Sequence, residues 1–232
     1  MVGRGEYSEI PQALIDTNGL EMFYQGSWQD YQEPLQDPND KIYAVNADRL
    51  GGVGPALSFG RTMLEFGIQP VGLLLCAKGG TGIQAWSRDG LLYRTMLERV
   101  KLATSDHNLA GVLIYLGEGD TKTIETASNW LSAFKSLIYS IRKDTNKPNL
   151  PIVFAQLATI SDQRRAQREH GFSAWDYLKE IQYNLRADNV AMIKTDDLSL
   201  KKDGLHLDMK SNVIVGKRFA EAMHKLLLNN AN

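Results

Sequence analysis

Residues 111–120 read Gly-Val-Leu-Ile-Tyr-Leu-Gly-Glu-Gly-Asp, an apolar run that ends directly in two glycines and two carboxylates. An uninterrupted apolar run of this kind is typical of a strand that a parallel sheet buries on both faces. Three more runs, at 71–76, 151–155 and 190–193, share the pattern. The four runs therefore predict strands of one parallel sheet.

Helical stretches separate these runs. The clearest is predicted at 121–142, where apolar side chains recur every three or four residues and form one stripe. Further helices are predicted at about 174–185 and 210–228. Alternating strands and helices imply parallel strands joined by right-handed crossovers. The fold class predicted is α/β, a three-layer α/β/α sandwich with a flavodoxin-like, mostly parallel sheet.

The part of the chain before these strands carries weaker signals. Residues 1–41 read as irregular because three prolines interrupt them, and Lys41–Val45 reads as a short strand. Pro55 stands near the first turn of a further predicted helix, a position where its missing N–H group costs no hydrogen bond. Gly67 is predicted to end that helix.

Composition places the chain among folded globular proteins. Of its 232 residues 43% are hydrophobic and 23% are charged, which suits a single domain spanning 1–232. Lys and Arg total 26 and Asp and Glu total 27, so no bulk charge is available to hold nucleic acid.

No apolar run approaches the roughly 20 residues of a membrane span. A single cysteine, Cys76, excludes an internal disulfide and a multi-cysteine zinc site.

Unusual residues follow three of the predicted strands, at the edge where parallel α/β sheets place their sites. After 71–76, the glycines of Lys78–Trp86 can present backbone N–H groups to an oxyanion or a phosphate, although a tight turn would also use them. The segment is not a P-loop, because no Gly-Lys-Ser/Thr follows at the required spacing. After 111–116, Glu118 and Asp120 form a second polar loop, which helix capping by Asp120 or Thr121 would also explain.

The segment after 190–193 holds the strongest candidates. Asp203 and His206 lie three residues apart across a glycine, a spacing that lets the carboxylate receive the imidazole N–H. This fixes the tautomer and leaves the other ring nitrogen free as a general base. The alternative is a surface loop with an incidental histidine. No Gly-x-Ser-x-Gly elbow supplies a nucleophile; Cys76 reads as a packed thiol, and Thr81 has no identified base.

Four blocks taken together resemble the SGNH (GDSL-like) hydrolases, and most closely the sialate O-acetylesterase and acetylxylan esterase group, carbohydrate esterase family six. Gly52–Gly60 resembles the Gly-Val-Gly-Pro helix start of that group, and Lys78–Trp86 resembles its Gly-Gly-Thr-Ser-Ile block. Tyr115–Asp120 resembles its Tyr-Gln-Gly-Glu-Ser-Asp block, and Asp203–His206 its Asp-x-x-His block. The four blocks occur in order over nearly the whole chain, which is far more specific than any one alone.

The resemblance implies a Ser-His-Asp esterase that removes acetyl groups from carbohydrates, with no metal or organic cofactor. His206 and Asp203 would be the base and its orienting carboxylate. The remaining site residues it implies belong to an oxyanion or substrate loop: Gly79, Gly80, Thr81, Gly117 and Glu118. The expected partner is an acetylated carbohydrate substrate. Neither a nucleic acid nor a membrane is expected as a partner.

The nucleophile of the family lies in a Gly-Gln-Ser-Asn-Met block at the end of its first strand, and that block has no counterpart here. Met1–Glu6, which has no features of a signal peptide, resembles the residues that begin with the Met of that block. We therefore expect that the first strand and the serine are missing, and that an internal Met was taken as the start or the chain is truncated. The fold would then lack its first strand, between the strands at 71–76 and 111–116, and the chain as it stands would be inactive.

This loss leads to an expectation about stability. Removing an inner strand leaves a gap of two strand spacings, about 9–10 Å, with unpaired backbone groups on two apolar edges. The chain alone is then expected to be poorly stable, unless another segment fills the gap. A cooperative melt of the monomer at high temperature would contradict this expectation.

Two departures from the family bear on activity. Leu116 stands where the group has Gln, and Gly119 stands where it has Ser. A leucine side chain cannot donate a hydrogen bond, and the loss of one oxyanion donor lowers the rate of an enzyme by roughly 10²–10³-fold. A catalytically degenerate member that only binds glycans or a partner is therefore the rival hypothesis, and a flavodoxin-like nucleotide binder is a third that lacks a phosphate motif.

Overall fold

Six strands and six helices build the part of the chain that the structure describes, which is residues 3–43, 51–165 and 171–231 of a computed structural model. The strands are β1 (Leu20–Tyr24), β2 (Ser27–Asp30), β3 (Val71–Leu73), β4 (Val112–Ile114), β5 (Ile152–Ala155) and β6 (Val190–Ile193). The helices are α1 (Ala56–Glu65), α2 (Leu91–Ala103), α3 (Ile124–Asp144), α4 (Asp162–Arg165), α5 (Trp175–Asn184) and α6 (Met209–Ala231). Strand and helix alternate as predicted from β3 onward.

The strands form two separate three-stranded sheets. One has the order β2-β1-β3, in which β1 pairs antiparallel with β2 and parallel with β3. The other has the order β4-β5-β6 and is parallel throughout, with Val112 opposite Ile152 and Ile152 opposite Val190. The four predicted strands are present and each has a parallel neighbour, but they lie in two sheets instead of one, because no described strand joins β3 to β4.

Helices cover both faces of the sheets, which confirms the three-layer α/β fold. Helices α1 and α6 pack together on one face, and α6 also contacts β5 and β6. Helix α3 packs against α5 on the other face, where Trp130, Phe134 and Phe154 form an aromatic cluster. Within the described residues, no helix combines the length and apolar character that crossing a bilayer requires.

The sheet is interrupted between β3 and β4, the position at which the family resemblance places a first strand. No described residue pairs with the free edge of either strand. The apolar runs continue beyond the paired residues, since 74–76 and 115–116 lie outside the ladders. Every residue of β4 is only half-buried, whereas β5 in the same sheet is buried throughout. The interruption therefore leaves two apolar edges that no strand within residues 3–43, 51–165 and 171–231 pairs with.

Two expectations for the early part of the chain were wrong. Residues 20–30 form the β1–β2 hairpin instead of irregular chain, because Gln25 and Gly26 both take positive φ, at 50° and 89°, and reverse the backbone in two residues. Residues 41–43 form a turn instead of a strand, and Asp40 accepts the backbone N–H groups of Ile42 and Tyr43 there. The rest of that predicted strand, 44–45, lies outside the described residues.

Close approach of α1 and α6 depends on Gly216. A Cβ at this position would lie 2.7 Å from the backbone nitrogen of Phe59, and closer still to the carbonyl of Pro55 and to Ser58 Oγ. Backbone atoms of a helix cannot move aside as a flexible side chain can. The two helices therefore pack at a distance that only glycine allows at this crossing.

The substitution Gly216→Ala tests this packing. We expect it to lower the free energy of unfolding by about 2–3 kcal/mol, because overpacking a tight contact outweighs the better helix propensity of alanine. Urea denaturation measures the change. Lys217→Ala, at the exposed neighbouring position of the same helix, is the control and should change stability by less than about 0.5 kcal/mol. Equal effects of the two substitutions would contradict the proposed contact.

Candidate active site

Asp203 and His206 form a hydrogen-bonded dyad in the loop between β6 and α6. The distance from His206 Nδ1 to Asp203 Oδ2 is 2.7 Å. The loop folds back on itself, since Lys201 N–H donates to the His206 carbonyl at 2.7 Å and Gly204 takes a φ of 67°. The predicted pairing across a glycine is thus present, and it leaves Nε2 of His206 as the second ring nitrogen.

The Asp203 carboxylate is held in its ionised form. Burial alone would raise its pKa, but hydrogen bonds from the His206 ring and from the backbone N–H groups of His206 and Leu205 lower the pKa to about 2. Both backbone contacts measure 2.9 Å. The carboxylate is therefore charged over the whole physiological pH range, as orienting an imidazole N–H requires.

The loop after β3 presents two exposed glycines beside open space. A Cβ at Gly79 or Gly80 would meet nothing within 4 Å, so the backbone here is accessible to a ligand. Thr81 shapes the loop, because its hydroxyl donates to the Lys78 carbonyl at 2.8 Å and accepts the indole N–H of Trp86 at 3.2 Å. The hydroxyl of Thr81 thus serves the loop conformation.

Asp120 joins this glycine loop to the loop after β4. Its carboxylate oxygens accept the backbone N–H of Ile83 at 2.9 and 3.1 Å. The backbones are also in close contact, since a Cβ at Gly119 would lie 2.8 Å from the nitrogen of Gly82. Helix capping by Asp120 or Thr121 was the wrong alternative: Thr123 is the N-cap of α3 and forms a capping box with Thr126.

Burial perturbs both carboxyls of the second loop. Burial raises the pKa of Asp120 to about 6, against the lowering effect of the Ile83 N–H, and the nearby Glu118 carboxylate raises it further. Burial also raises the pKa of Glu118, partly offset by its own backbone N–H and by the His206 ring. Gly117 lies behind the loop, buried against Gln182 with a φ of 147°.

One cavity brings most of the predicted residues together. It has a volume of about 1040 Å³, and Gly79, Gly80, Thr81, Glu118 and His206 are among its lining residues. These residues follow the carboxyl ends of the apolar runs, and the part of the cavity that they line is called its mouth. Asp203 does not line the cavity itself but is hydrogen-bonded to His206, which does. Gly117 does not line the cavity either. The candidate site therefore lies at the carboxyl ends of the apolar runs that contain β3 and β4, as expected for an open parallel sheet.

None of the described residues that line this cavity is a serine. Cys76 lies in its wall, and burial raises the pKa of the thiol to about 12, so the reactive thiolate is not populated near neutral pH. Reading Cys76 as a packed thiol is consistent with this environment. Among the described residues, the site thus has a candidate base and its orienting carboxylate, but no serine lines the cavity to act as the nucleophile.

Several cavity residues carried no signal in the sequence. Lys122 and Arg164 bring positive charge to the mouth, and the Arg164 guanidinium stands 5.3 Å from the centre of the Phe172 ring. They come from separate loops and belong to no recognisable motif, so only the fold could place them there. Among the described residues, no group of three or more His, Cys, Asp or Glu is arranged to hold a metal ion.

Comparison with protein families decides the classification. The family model for carbohydrate esterases described as sialic acid-specific acetylesterases matches residues 1–225. The chain belongs to this family. A probable carbohydrate esterase from Arabidopsis thaliana is 29% identical over 216 residues, which covers 91% of this chain and 76% of that protein. The family therefore agrees with the resemblance read from the four sequence blocks.

Solved structures support the fold. The crystal structure of an Arabidopsis thaliana protein covers 97% of this chain and 93% of its own, with a TM-score of 0.83 and 27% identity. A carbohydrate acetylesterase from Xanthomonas citri has a TM-score of 0.67 at 19% identity, with coverage of 94% of this chain and 52% of that one. The second likeness concerns the fold alone. Carbohydrate esterase is the activity class that the family indicates.

The raised pKa of Asp120 leads to a prediction about stability and pH. A carboxyl whose pKa rises on folding favours the folded state below its unfolded pKa of about 3.9, and this contribution is lost as the pH rises through about 6. Asp120→Asn removes the titration but keeps an oxygen for the Ile83 N–H. Between pH 4 and pH 7, wild type should therefore lose about 2–3 kcal/mol of unfolding free energy relative to the variant.

Urea denaturation at several pH values measures this difference. Gln29→Asn, at an exposed position of β2 that carries no titratable group, is the control and should run parallel to wild type across the same range. Parallel curves for wild type and Asp120→Asn would show that the buried carboxyl does not titrate there.

Proposed function

We propose that this protein is a hydrolase of O-acetyl esters on carbohydrates that uses a Ser-His-Asp mechanism. The observation that carries the proposal is the Asp203–His206 dyad at the mouth of a cavity beside the exposed Gly79-Gly80 backbone. A base and a set of accessible backbone N–H groups at one mouth are the two devices that acyl transfer needs. The membership of the family supports an acetylated carbohydrate as the substrate class.

In this mechanism a serine hydroxyl attacks the acetyl carbonyl while His206 Nε2 takes its proton. Asp203 holds Nδ1–H and stabilises the imidazolium that forms. Backbone N–H groups near Gly79 and Gly80 stabilise the negative charge on the carbonyl oxygen. As the bond between the acetyl carbon and the sugar oxygen breaks, the imidazolium protonates that oxygen, so that the sugar departs with a free hydroxyl and an acetyl-serine remains. Water attacks this ester with His206 again as the base, and acetate is released.

The serine in this proposal comes from residues that precede Met1. The proposal rests on the resemblance of Met1–Glu6 to the end of the Gly-Gln-Ser-Asn-Met block, and the absence of a serine among the described cavity-lining residues supports it. Residues 1–232 alone are accordingly inactive. Glu118 and Asp120 organise the site loop and do not act as acid or base. Thr81 shapes the glycine loop, and Gly117 supports the loop after β4.

Restoring the upstream residues tests the function. The coding DNA ahead of Met1 is expected to encode, in frame, an apolar run that ends in Gly-Gln-Ser-Asn. A protein that includes this segment should hydrolyse an aryl acetate and release acetate from an acetylated sugar. Absence of the run in the DNA, or no hydrolysis by the extended protein, would contradict the proposal.

Within the extended protein, His206→Ala should lower kcat/KM by at least about 10³-fold, because the serine loses its general base. Asp203→Asn should also lower it strongly, since the amide no longer fixes the tautomer. His224→Ala is the matched control: His224 stacks on Phe66 away from the cavity, and its loss should leave the rate unchanged.

A second candidate function is favoured by one observation. Leu116 lines the cavity where the esterase group has a glutamine, so one oxyanion donor is absent. The rival proposal is a catalytically degenerate member that only binds glycans. Binding of an acetylated glycan by the extended protein, without turnover and without sensitivity to His206→Ala, would favour this rival.

A further inference from the structure

We infer that Lys201 is a positioning residue, which holds the segment of residues 3–6 against the loop that carries the Asp203–His206 dyad. Its backbone belongs to the dyad loop, and its ammonium group reaches Arg4, which lies 197 positions away in the sequence. The catalytic consequence rests on the proposed function, since the proposed serine precedes Met1 and therefore joins the dyad through this segment.

The backbone of Lys201 closes the dyad loop. Its N–H donates to the His206 carbonyl at 2.7 Å, and its carbonyl accepts the Gly204 N–H at 2.9 Å. Just outside this pair, Leu200 and Leu207 form an antiparallel bridge. The backbone of His206 is thereby fixed relative to the backbone of Lys201, so that a displacement of one moves the other.

The side chain of Lys201 leaves the loop and binds the segment. Its ammonium group donates to the Arg4 carbonyl at 2.8 Å and forms an ion pair with the Glu6 carboxylate. An ammonium group has three N–H donors and can serve both acceptors, and a charged donor forms a stronger hydrogen bond than a neutral one. Because the Glu6 carboxylate is exposed, the ion pair contributes little, and the contact with the Arg4 carbonyl sets the distance.

The opposite edge of the segment is held by the chain ahead of α1. Gly5 and Val53 exchange two backbone hydrogen bonds, at 3.0 and 2.9 Å, and the Gly52 N–H donates to the Gly3 carbonyl at 3.0 Å. Backbone direction alternates along an extended segment, so the Arg4 carbonyl faces the other side, where the ammonium group binds it.

Close packing also fixes the segment laterally. A Cβ at Gly5 would lie 2.6 Å from Sδ of Met209, and a Cβ at Gly3 would lie 2.2 Å from the nitrogen of Gly54. These contacts have no directional bond to the dyad loop. Of the hydrogen bonds among the described residues, those of the Lys201 ammonium group join the segment to that loop.

In the proposed mechanism, this connection sets the distance between the serine oxygen and His206 Nε2. Proton transfer needs about 2.6–3.2 Å between the two atoms, and a remote change that misplaces them by about 1 Å can lower the rate about 10²-fold. The glycine loop that receives the ester lies elsewhere in the cavity. Loss of the Lys201 contact should therefore lower kcat and leave KM nearly unchanged.

Amide hydrogen exchange in residues 1–232 tests the anchoring without any need for activity. Lys201→Met removes the ammonium group from a side chain that is 31% exposed, and it should speed exchange at Gly5 and Val53 at least about tenfold. Lys201→Arg keeps a charged donor and should speed exchange less than about threefold. Lys202→Met, which removes a charge from the exposed neighbouring position, is the matched control and should leave both amides unchanged.

Kinetics of the extended protein test the effect on the mechanism. Lys201→Met should lower kcat for an aryl acetate about 10–100-fold, with KM within about threefold of wild type. Lys201→Arg should recover most of this loss. Glu6→Gln keeps the Arg4 carbonyl in place, so it should leave kcat within about threefold, as should Lys202→Met.

Three results would overturn the inference: free exchange of the Gly5 and Val53 amides in wild type, equal exchange in Lys201→Met and wild type, or an active extended protein whose kcat Lys201→Met leaves unchanged. The proposed function is read separately. An extended wild-type protein that hydrolyses no acetyl ester would count against the esterase mechanism, whereas exchange in residues 1–232 still decides whether Lys201 holds the segment.

Discussion

Each inner strand of a buried parallel sheet needs a hydrogen-bonding neighbour on both edges, and this requirement governs the molecule. Strand β5 has β4 and β6 beside it and is buried at every residue. Strands β3 and β4 each have one neighbour among the described residues. The apolar runs that contain these strands extend beyond the residues that are paired in the sheets. Strands β4 and β6, which each have β5 as their one neighbour among the described residues, are half-buried at most positions, whereas β5 between them is buried throughout.

The same requirement explains why the candidate site lies where the gap opens. Parallel strands end at one edge, so the loops after the three runs at 71–76, 111–116 and 190–193 meet there. Asp120 fixes two of these loops to each other through the Ile83 N–H, at the cost of a buried carboxyl whose pKa rises to about 6. Within the third loop, the hydrogen bond from His206 to Asp203 holds the imidazole in place. The site is thus assembled by hydrogen bonds to backbone and ring nitrogens, and its shape depends on the sheet beneath it.

Local signals predicted those elements whose stability is local. The stripe in α3 and the pairing of Asp203 with His206 depend on residues a few positions apart, and the structure has both. The β1–β2 hairpin was missed because its turn, Gln25-Gly26, lacks the Asn-Gly or Asp-Gly signature that usually marks two residues of positive φ. The capping interpretation placed the N-cap of α3 at Asp120 or Thr121, but the N-cap is Thr123, and the Asp120 carboxylate instead accepts the backbone N–H of Ile83 in the glycine loop. Nothing in the sequence shows this contact.

The sequence by itself determined the α/β class, the apolar runs, the glycine loops and the His206–Asp203 pair, because periodicity and short-range spacing encode them. Only the tertiary structure decided that these loops share one cavity, that Lys122 and Arg164 reach its mouth while Gly117 does not, and that the sheet divides between β3 and β4. These features depend on which strands become neighbours, and strand neighbours are chosen by packing and backbone pairing over the whole chain, which no local pattern records.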